Sequence, residues 1–540
     1  MDRTSKARWG LLDATWLALA LVLLNASLTF SNIWPTLRVR WTGGLSPELA
    51  LLVLALVFAQ RRWGPLARRG IRWLAVLWVA LVVARYVDVT TRSLFGRSPS
   101  LYWDLQFVPD VGAMFAVVAS AWRNAAVALL LIAMPVVAYL TCRWALTRVA
   151  RAAADPGASR ALAPAACVVC ALWAVQLTGT ELPESLRLAE PAAPVYAAQL
   201  REIVVESTGA GLRDLPPSPI MHSDFSRVRG ADVVLIFMES YGEISWKRPE
   251  LARGLVDSRA RLEDSIHATG RSVVSGLVES TTFGGESWLS HLSLLSGIEV
   301  RDERTTIRLM AQERDTLVKA FSRAGYRSVL VMPGLLSPWP QGVFYGFDDI
   351  YDHARLDYQG PPFGWWDVND QFALARVDAL EMKGHDRAPI FLVFPTITTH
   401  APFTPAPPYQ PDWARVLGDY PYDTADLDKA WSDQPDWTNL SPSYVRAMAY
   451  ANDMMGGYLR HRDGDDLVLI LIGDHQPPAL VTGQGASWNV PIHVITSRRP
   501  VLDRLLAHDF NEQLAPGTSV VSSMNGLLPI LLDAFGEAGE

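Results

Sequence analysis

The chain has 540 residues, half of them hydrophobic, with 48 basic and 55 acidic side chains. That length exceeds one ordinary core, and the hydrophobic share is high for a purely soluble protein. Charge is unevenly divided: residues 1–180 hold 18 basic and 7 acidic groups, the remainder 30 and 48. An acidic C-terminal region argues against nucleic acid as the partner, because phosphate binding requires a basic face.

Five apolar runs open the chain: Ala14–Phe30, Pro47–Ala59, Trp73–Val83, Ala125–Leu140 and Ala161–Leu177. A spanning helix takes roughly 17–25 apolar residues. The first and last runs qualify, and the second and third need flanking Trp or Arg residues to complete a span. Arg3, Lys6 and Arg8 precede the first run; Arg61, Arg62, Arg68, Arg69 and Arg72 follow the second; Arg143, Arg148, Arg151 and Arg160 follow the fourth. The opposite connections carry Arg38 and Arg40, then Arg85, Arg92 and Arg97. This bias predicts a cytoplasmic N-terminus and, with five spans, an external C-terminal region. The first run lacks a small-residue cleavage site, so a removed signal peptide is not expected. Cys142, Cys167 and Cys170 are the only cysteines, all in or beside these runs, and read as packing residues.

Residues 181–230 read as a connector rich in proline, with a helical stretch near Val195–Val205. From residue 231 strand and helix patterns alternate: a strand from Val233, helical spacing over Arg253–Thr269 and Ser287–Ser296, and a helix over Thr316–Ala324 stopped by Gly325. Strands follow at Ser328–Met332, Ile390–Pro395 and Leu467–Ile472. Alternation over such a length predicts an α/β sandwich with a largely parallel sheet. Leu335–Asp352 and Ala401–Pro442 read as long, aromatic- and proline-rich loops of the kind that bind substrate.

Two strand-length apolar runs end abruptly in metal-ligand residues. Val-Val-Leu-Ile-Phe-Met precedes Glu239, and Leu-Val-Leu-Ile-Leu-Ile-Gly precedes Asp474 and His475. A carboxylate at a buried strand end is costly unless paired or bound to a metal, although a capping acid fits Glu239 as well. Adjacent oxygen and nitrogen ligands on one loop suit Zn²⁺ or Mn²⁺. Between these runs, Phe-Gly-Gly-Glu-Ser-Trp-Leu-Ser-His ends its glycine turn at Ser287, which opens a helix. Ser287 reads either as an N-cap or as a nucleophile stabilised by the helix terminus. His291, one turn further on, reads as a structural or a site residue.

These three elements, in this order, resemble the alkaline phosphatase/sulfatase superfamily. Within it they resemble the membrane-anchored branch of lipoteichoic acid synthase, the phosphoethanolamine transferases and the periplasmic-glucan phosphoglycerol transferases. The resemblance implies an α-helical membrane domain of about five transmembrane helices (1–180), a connector (181–230) and an extracytoplasmic sulfatase-type catalytic domain (231–540). It implies one divalent metal, Mn²⁺ or Zn²⁺, on Glu239, Ser287, Asp474 and His475, with Ser287 as nucleophile. His400, in Thr-Ile-Thr-Thr-His, falls on a substrate-binding position of the family, as does Trp339, with His291 as a further substrate contact. The family's transferases mostly use Thr as the nucleophile, which leaves Thr281 and Thr282 as alternatives. The sulfatases' Pro and Arg after the nucleophile are replaced by Leu289 and His291, which argues against formylglycine maturation. No Arg follows Trp339, and the cysteine-free domain tilts toward phosphoglycerol-type enzymes.

The implied protein is a multi-pass enzyme of the bacterial plasma (inner) membrane, N-terminus cytoplasmic and catalytic domain periplasmic or extracellular. It moves a phosphoglycerol or phosphoethanolamine group from a phospholipid donor to an envelope glycan or lipid acceptor through a phospho-serine intermediate. The alternatives are a sulfate or phosphate ester hydrolase and a non-catalytic lipid-binding regulator on the same fold.

Overall fold

Each of the five apolar runs forms a helix in a computed structural model of the chain: Leu11–Ala26, Pro47–Trp63, Arg68–Phe95, Ala121–Ala154 and Pro156–Leu177. The structure describes residues 10–537 apart from 34–35, 96–97, 106–107, 110–111, 113–120, 181–182, 184–187, 210–213, 365–366, 385, 437 and 484. Arg3, Lys6, Arg8 and Arg97, which contribute to the charge bias, lie outside the described residues. Among those described, three helices are long and apolar enough to cross a membrane: Arg68–Ser93, Trp122–Ala154 and Pro156–Leu177. The expected count of about five is therefore not confirmed. The first helix has 16 residues, short of a bilayer core at 1.5 Å per residue. The second carries Glu48 in its first turn and Arg61 and Arg62 in its last. Arg68, Arg69, Arg72, Arg143, Arg148 and Arg151, expected in connections, lie within helices that extend beyond their apolar runs.

The chain forms two compact units, Met1–Ser93 with Arg97–Leu212, and Leu94–Gly96 with Arg213–Glu540. In the first unit Ala20, Leu24, Val53, Val57, Trp78 and Leu146 form a small buried core. Leu129, Leu130, Leu131 and Ile132 are exposed in succession, an apolar surface that suits lipid. A short antiparallel pair, β1 (Phe30–Asn32) and β2 (Val39–Trp41), and the helix Ala193–Thr208 complete this unit. All three cysteines are free.

The second unit is built on an eight-stranded sheet. Its strands are β3 (Asp232–Met238), β4 (Ser272–Glu279), β5 (Arg327–Met332), β6 (Asp349–Asp352), β7 (Ile390–Pro395), β8 (Leu467–Gly473), β9 (Asn489–Thr496) and β10 (Val520–Ser523). Their order is β10-β4-β9-β8-β3-β7-β5-β6, and β9 alone runs against its neighbours. Val233, Leu235 and Phe237 point into one core, Val234, Ile236 and Met238 into another, so helices cover both faces of β3. Burial on both faces explains its uninterrupted apolar run.

Several elements depart from the sequence reading. The Arg253–Thr269 helix is two, Pro249–Gly254 and Val256–Ala268, and the Ala401–Pro442 loop contains the short helices Trp413–Val416 and Thr424–Ser432. Strand β4 escaped the pattern because polar and glycine residues interrupt it. Ser275 is fully buried there, sharing a hydrogen bond of 2.7 Å with His493 Nδ1 and donating to the Leu514 carbonyl at 3.1 Å.

Candidate metal and nucleophile site

The register of the sheet sets the site. Met238 pairs with Gly473 in parallel, so the next residues, Glu239 and Asp474, leave the same sheet edge side by side. A Cβ on Gly473 would overlap the Tyr241 carbonyl oxygen, so the two strand-end loops pack at a distance only glycine permits. Ser240, immediately after Glu239, has a φ of 57°. Its amide donates to Asp474 Oδ1 at 2.8 Å, its hydroxyl to Glu239 Oε1 at 2.9 Å, and its carbonyl accepts from Tyr444 at 3.0 Å. This non-glycine residue is thus held in the left-handed region by three bonds.

The third element arrives from β4. Gly284, Gly285 and Glu286 take φ values of 72°, 155° and 59°, turning the chain into the helix Ser287–Ser296, which Gly297 ends in the left-handed conformation. Ser287 Oγ donates to Glu239 Oε2 at 2.7 Å and lies 3.1 Å from His475 Nε2. His475 Nε2 lies 3.3 Å from Glu239 Oε1 and 3.8 Å from Asp474 Oδ2. Four residues separated by up to 236 positions thus meet in one buried cluster. Thr281 and Thr282 do not join it: Thr281 Oγ1 accepts from Ser293, and Thr282 Oγ1 donates to the Gly285 carbonyl.

The donor set fits a divalent ion. Glu239, Asp474 and His475 each offer a ligand atom, all within 4.8 Å of one another. Asp474 Oδ1 accepts from the amides of Ser240 and His475, while its Oδ2 is buried without a hydrogen-bond partner. A buried carboxylate oxygen left so is costly, and an ion would satisfy it. The His475 ring is oriented by Nδ1 against the Gln476 carbonyl at 2.8 Å, which directs Nε2 to the cluster.

Charge in the cluster is strongly coupled. Burial and the neighbouring Glu239 push Asp474 well above the ordinary carboxylate range. Burial also opposes ionisation of Glu239, but the adjacent His475 outweighs it and holds that carboxyl below its usual value. Burial alone would lower His475, yet Asp474 and Glu239 raise it to about 9. In metal-free protein the raised His475 contributes stability that is complete below its unfolded value near 6.5 and disappears as pH rises through about 9. The raised Asp474 acts in the same direction, whereas the lowered Glu239 contributes above its unfolded value and loses that contribution only in acid. Chelator-treated protein is therefore expected to melt at a lower temperature at pH 9.5 than at pH 7, and Zn²⁺-loaded protein to lose less over the same interval. Equal slopes with and without metal would contradict the assignment of these groups to an ion site.

His400 lies on the loop after β7, with Nδ1 2.7 Å from the Ala401 carbonyl, and its charge acts on Glu239. His291 is largely buried, its ring centroid 4.3 Å from Phe237 and Nε2 4.0 Å from Asp474 Oδ2; burial pushes its imidazole down to about 3. Trp339 packs instead on Tyr345, ring centroids 5.6 Å apart, against the core beneath the sheet. Among the described residues it makes no ring contact or hydrogen bond with Glu239, Ser287, Asp474 or His475.

Sequence reading missed the residues that hold these loops. Thr396 Oγ1 accepts from the Glu239 amide at 3.0 Å and Thr399 Oγ1 donates to the Glu239 carbonyl at 2.6 Å. Ser280 and Ser290 both donate to the Asp474 carbonyl, at 2.5 and 2.7 Å. Asp370 accepts from the amides of Ile397 and Thr398 at 2.8 and 2.9 Å, and burial pushes its carboxyl up to about 6. The repeated threonines around His400 were the available signal. Asp370→Ala leaves two loop amides unpaired, at about 1–3 kcal/mol each. A denaturant midpoint well below wild type and a raised KM are expected; an unchanged midpoint would show that the loop does not depend on Asp370.

The family model described as Sulfatase matches residues 232–493. Those residues form a sulfatase-family domain. The match covers 262 of the chain's 540 residues, and Glu239, Ser287, Asp474 and His475 all lie within it. No curated protein matches it. Among solved structures, the integral membrane protein lipooligosaccharide phosphoethanolamine transferase A from Neisseria meningitidis is 14% identical, covering 96% of this chain and 95% of its own at a TM-score of 0.49. The lipoteichoic acid synthase LtaP from Listeria monocytogenes is 13% identical, covering 62% of this chain and 82% of its own at 0.38. The Streptococcus pyogenes phosphoglycerol transferase GacH, in complex with sn-glycerol-1-phosphate, is 12% identical, covering 63% and 85% at 0.33. These TM-scores all lie below 0.5, and the likeness to the sulfatase family rests on the match over residues 232–493.

Proposed function

We propose that this enzyme transfers a phosphoglycerol or phosphoethanolamine group from a phospholipid to an envelope glycan or lipid acceptor through a phospho-serine intermediate. The observation that carries this reading is Ser287 Oγ, at a helix N-terminus, 2.7 Å from Glu239 Oε2 and 3.1 Å from His475 Nε2. Glu239, Asp474, His475 and Ser287 would hold one divalent ion, Mn²⁺ or Zn²⁺. Such an ion supplies Lewis-acid activation of a hydroxyl nucleophile at neutral pH.

Glu239 accepts the hydrogen bond of the Ser287 hydroxyl and so lies where its proton can be taken. Ser287 Oγ then forms the bond to phosphorus while the bond from phosphorus to the diacylglycerol oxygen breaks. The positive end of the Ser287–Ser296 helix dipole favours the phosphoryl oxygens. A protonated His400 can give its proton to the departing oxygen. An acceptor hydroxyl attacks the same phosphorus next, its proton leaving to a base, and Ser287 is released.

Membrane helices support the lipid donor, since they keep the enzyme where phospholipid is concentrated. In this reading the protein is a multi-pass component of the bacterial inner membrane, its N-terminus cytoplasmic and residues 231–540 outside. Mass spectrometry of the Ser287 peptide after incubation with membranes tests the proposal. The adduct mass is expected to equal phosphoglycerol or phosphoethanolamine; an unmodified Ser287 in enzyme that turns over would sink it. Labelled headgroup released into water without any acceptor dependence would favour the hydrolase.

A further inference from the structure

We propose that His291 is a further ligand of the metal ion, adding a second imidazole to the site, and that the site therefore prefers Zn²⁺ over Mn²⁺. The inference rests on the metal-site reading above and on two atoms that reading leaves unexplained. Asp474 Oδ2 and His291 Nε2 are both buried, both lack any hydrogen-bond partner, and lie 4.0 Å apart. That separation is too long for a hydrogen bond. One ion with ligand bonds of about 2.0–2.2 Å to each atom spans it.

The placement of His291 follows from helix geometry. It sits four residues after Ser287 on the helix Ser287–Ser296, so both side chains share the face directed at the sheet edge. Phe237, in β3 two residues before Glu239, packs on the imidazole ring at 4.3 Å between centroids and fixes its plane. The Asp474 carboxylate cannot turn away to relieve its own isolation, because two backbone amides hold Oδ1. An ordinary packing histidine would have found a hydroxyl or carbonyl, as His493 does with Ser275 and Tyr241. Two imidazoles beside two carboxylates form a donor set suited to Zn²⁺, whereas oxygen-rich sets favour Mn²⁺ or Mg²⁺.

The test uses the purified full-length protein stripped of metal, titrated with Zn²⁺ and with Mn²⁺ against a chromophoric chelator. His291→Gln is expected to weaken Zn²⁺ binding by at least about tenfold and to narrow the preference over Mn²⁺. His291→Cys, loaded with Co²⁺, is expected to show sulfur-to-cobalt charge-transfer absorption, a signature no packing role would produce. Thermal melts of the metal-free variants accompany the titrations. Wild-type Zn²⁺ affinity in His291→Gln together with no thiolate band in His291→Cys overturns the inference while the four-residue site stands. A wild-type protein that binds neither metal overturns both.

Discussion

Ser287→Ala is expected to abolish headgroup transfer, lowering the rate by about 10⁴-fold or more, because Ser240, whose hydroxyl also reaches Glu239, is fully buried and cannot meet a substrate to form the covalent intermediate. The substitution itself is mild. Ser287 opens a helix in which alanine is well tolerated, and its hydroxyl is bonded only within the site. The melting temperature should therefore stay within a few degrees of wild type. Ser287→Thr keeps a hydroxyl on the same carbon and is expected to retain a measurable part of the activity. Transfer of labelled headgroup from phospholipid to membrane acceptors, with the mass of the 287 peptide, reads both variants. Undiminished transfer by Ser287→Ala would move the nucleophile elsewhere, and Thr281 and Thr282 would be the next residues to replace.

The strand ends were legible because each couples an uninterrupted apolar run to a sudden ligand residue. A strand buried on both faces has no polar alternation to blur its end, so Glu239 and Asp474 stand out in the sequence. Ser287 was legible for another local reason: two glycines before it and Gly297 after it bracket one short helix. The residues that hold these loops left no such mark. Thr396, Thr399, Ser280, Ser290 and Asp370 act across the sheet edge on backbone groups up to about two hundred positions away. Each alone is an ordinary buried polar residue. The reversed strand β9 was hidden likewise, since direction within a sheet is a property of pairing and not of composition. In the first unit hydropathy located five helices, of which three among the described residues are long and apolar enough to cross a membrane; the first has 16 residues and the second carries charged turns at both ends.

Asp474→Asn is expected to separate metal binding from folding. The amide oxygen can still accept from the Ser240 and His475 amides, so the loop geometry is preserved. The other atom becomes an NH₂ where Oδ2 now stands buried and unpartnered, which removes a ligand and a desolvated charge in one step. Burial and the charge of Glu239 already push the Asp474 carboxyl well above its ordinary range, so the ionised form is an expense to the metal-free fold. Metal content per chain, read by elemental analysis after gel filtration, should fall to background, and transfer by about 10²-fold or more. The metal-free variant should melt at or above the temperature of metal-free wild type at pH 8, the reverse of what most buried substitutions do. Such an outcome places Asp474 among residues kept for function at the expense of stability. A variant that keeps a full complement of metal, or melts far below metal-free wild type, would show that the carboxylate is there to hold the loop and not the ion.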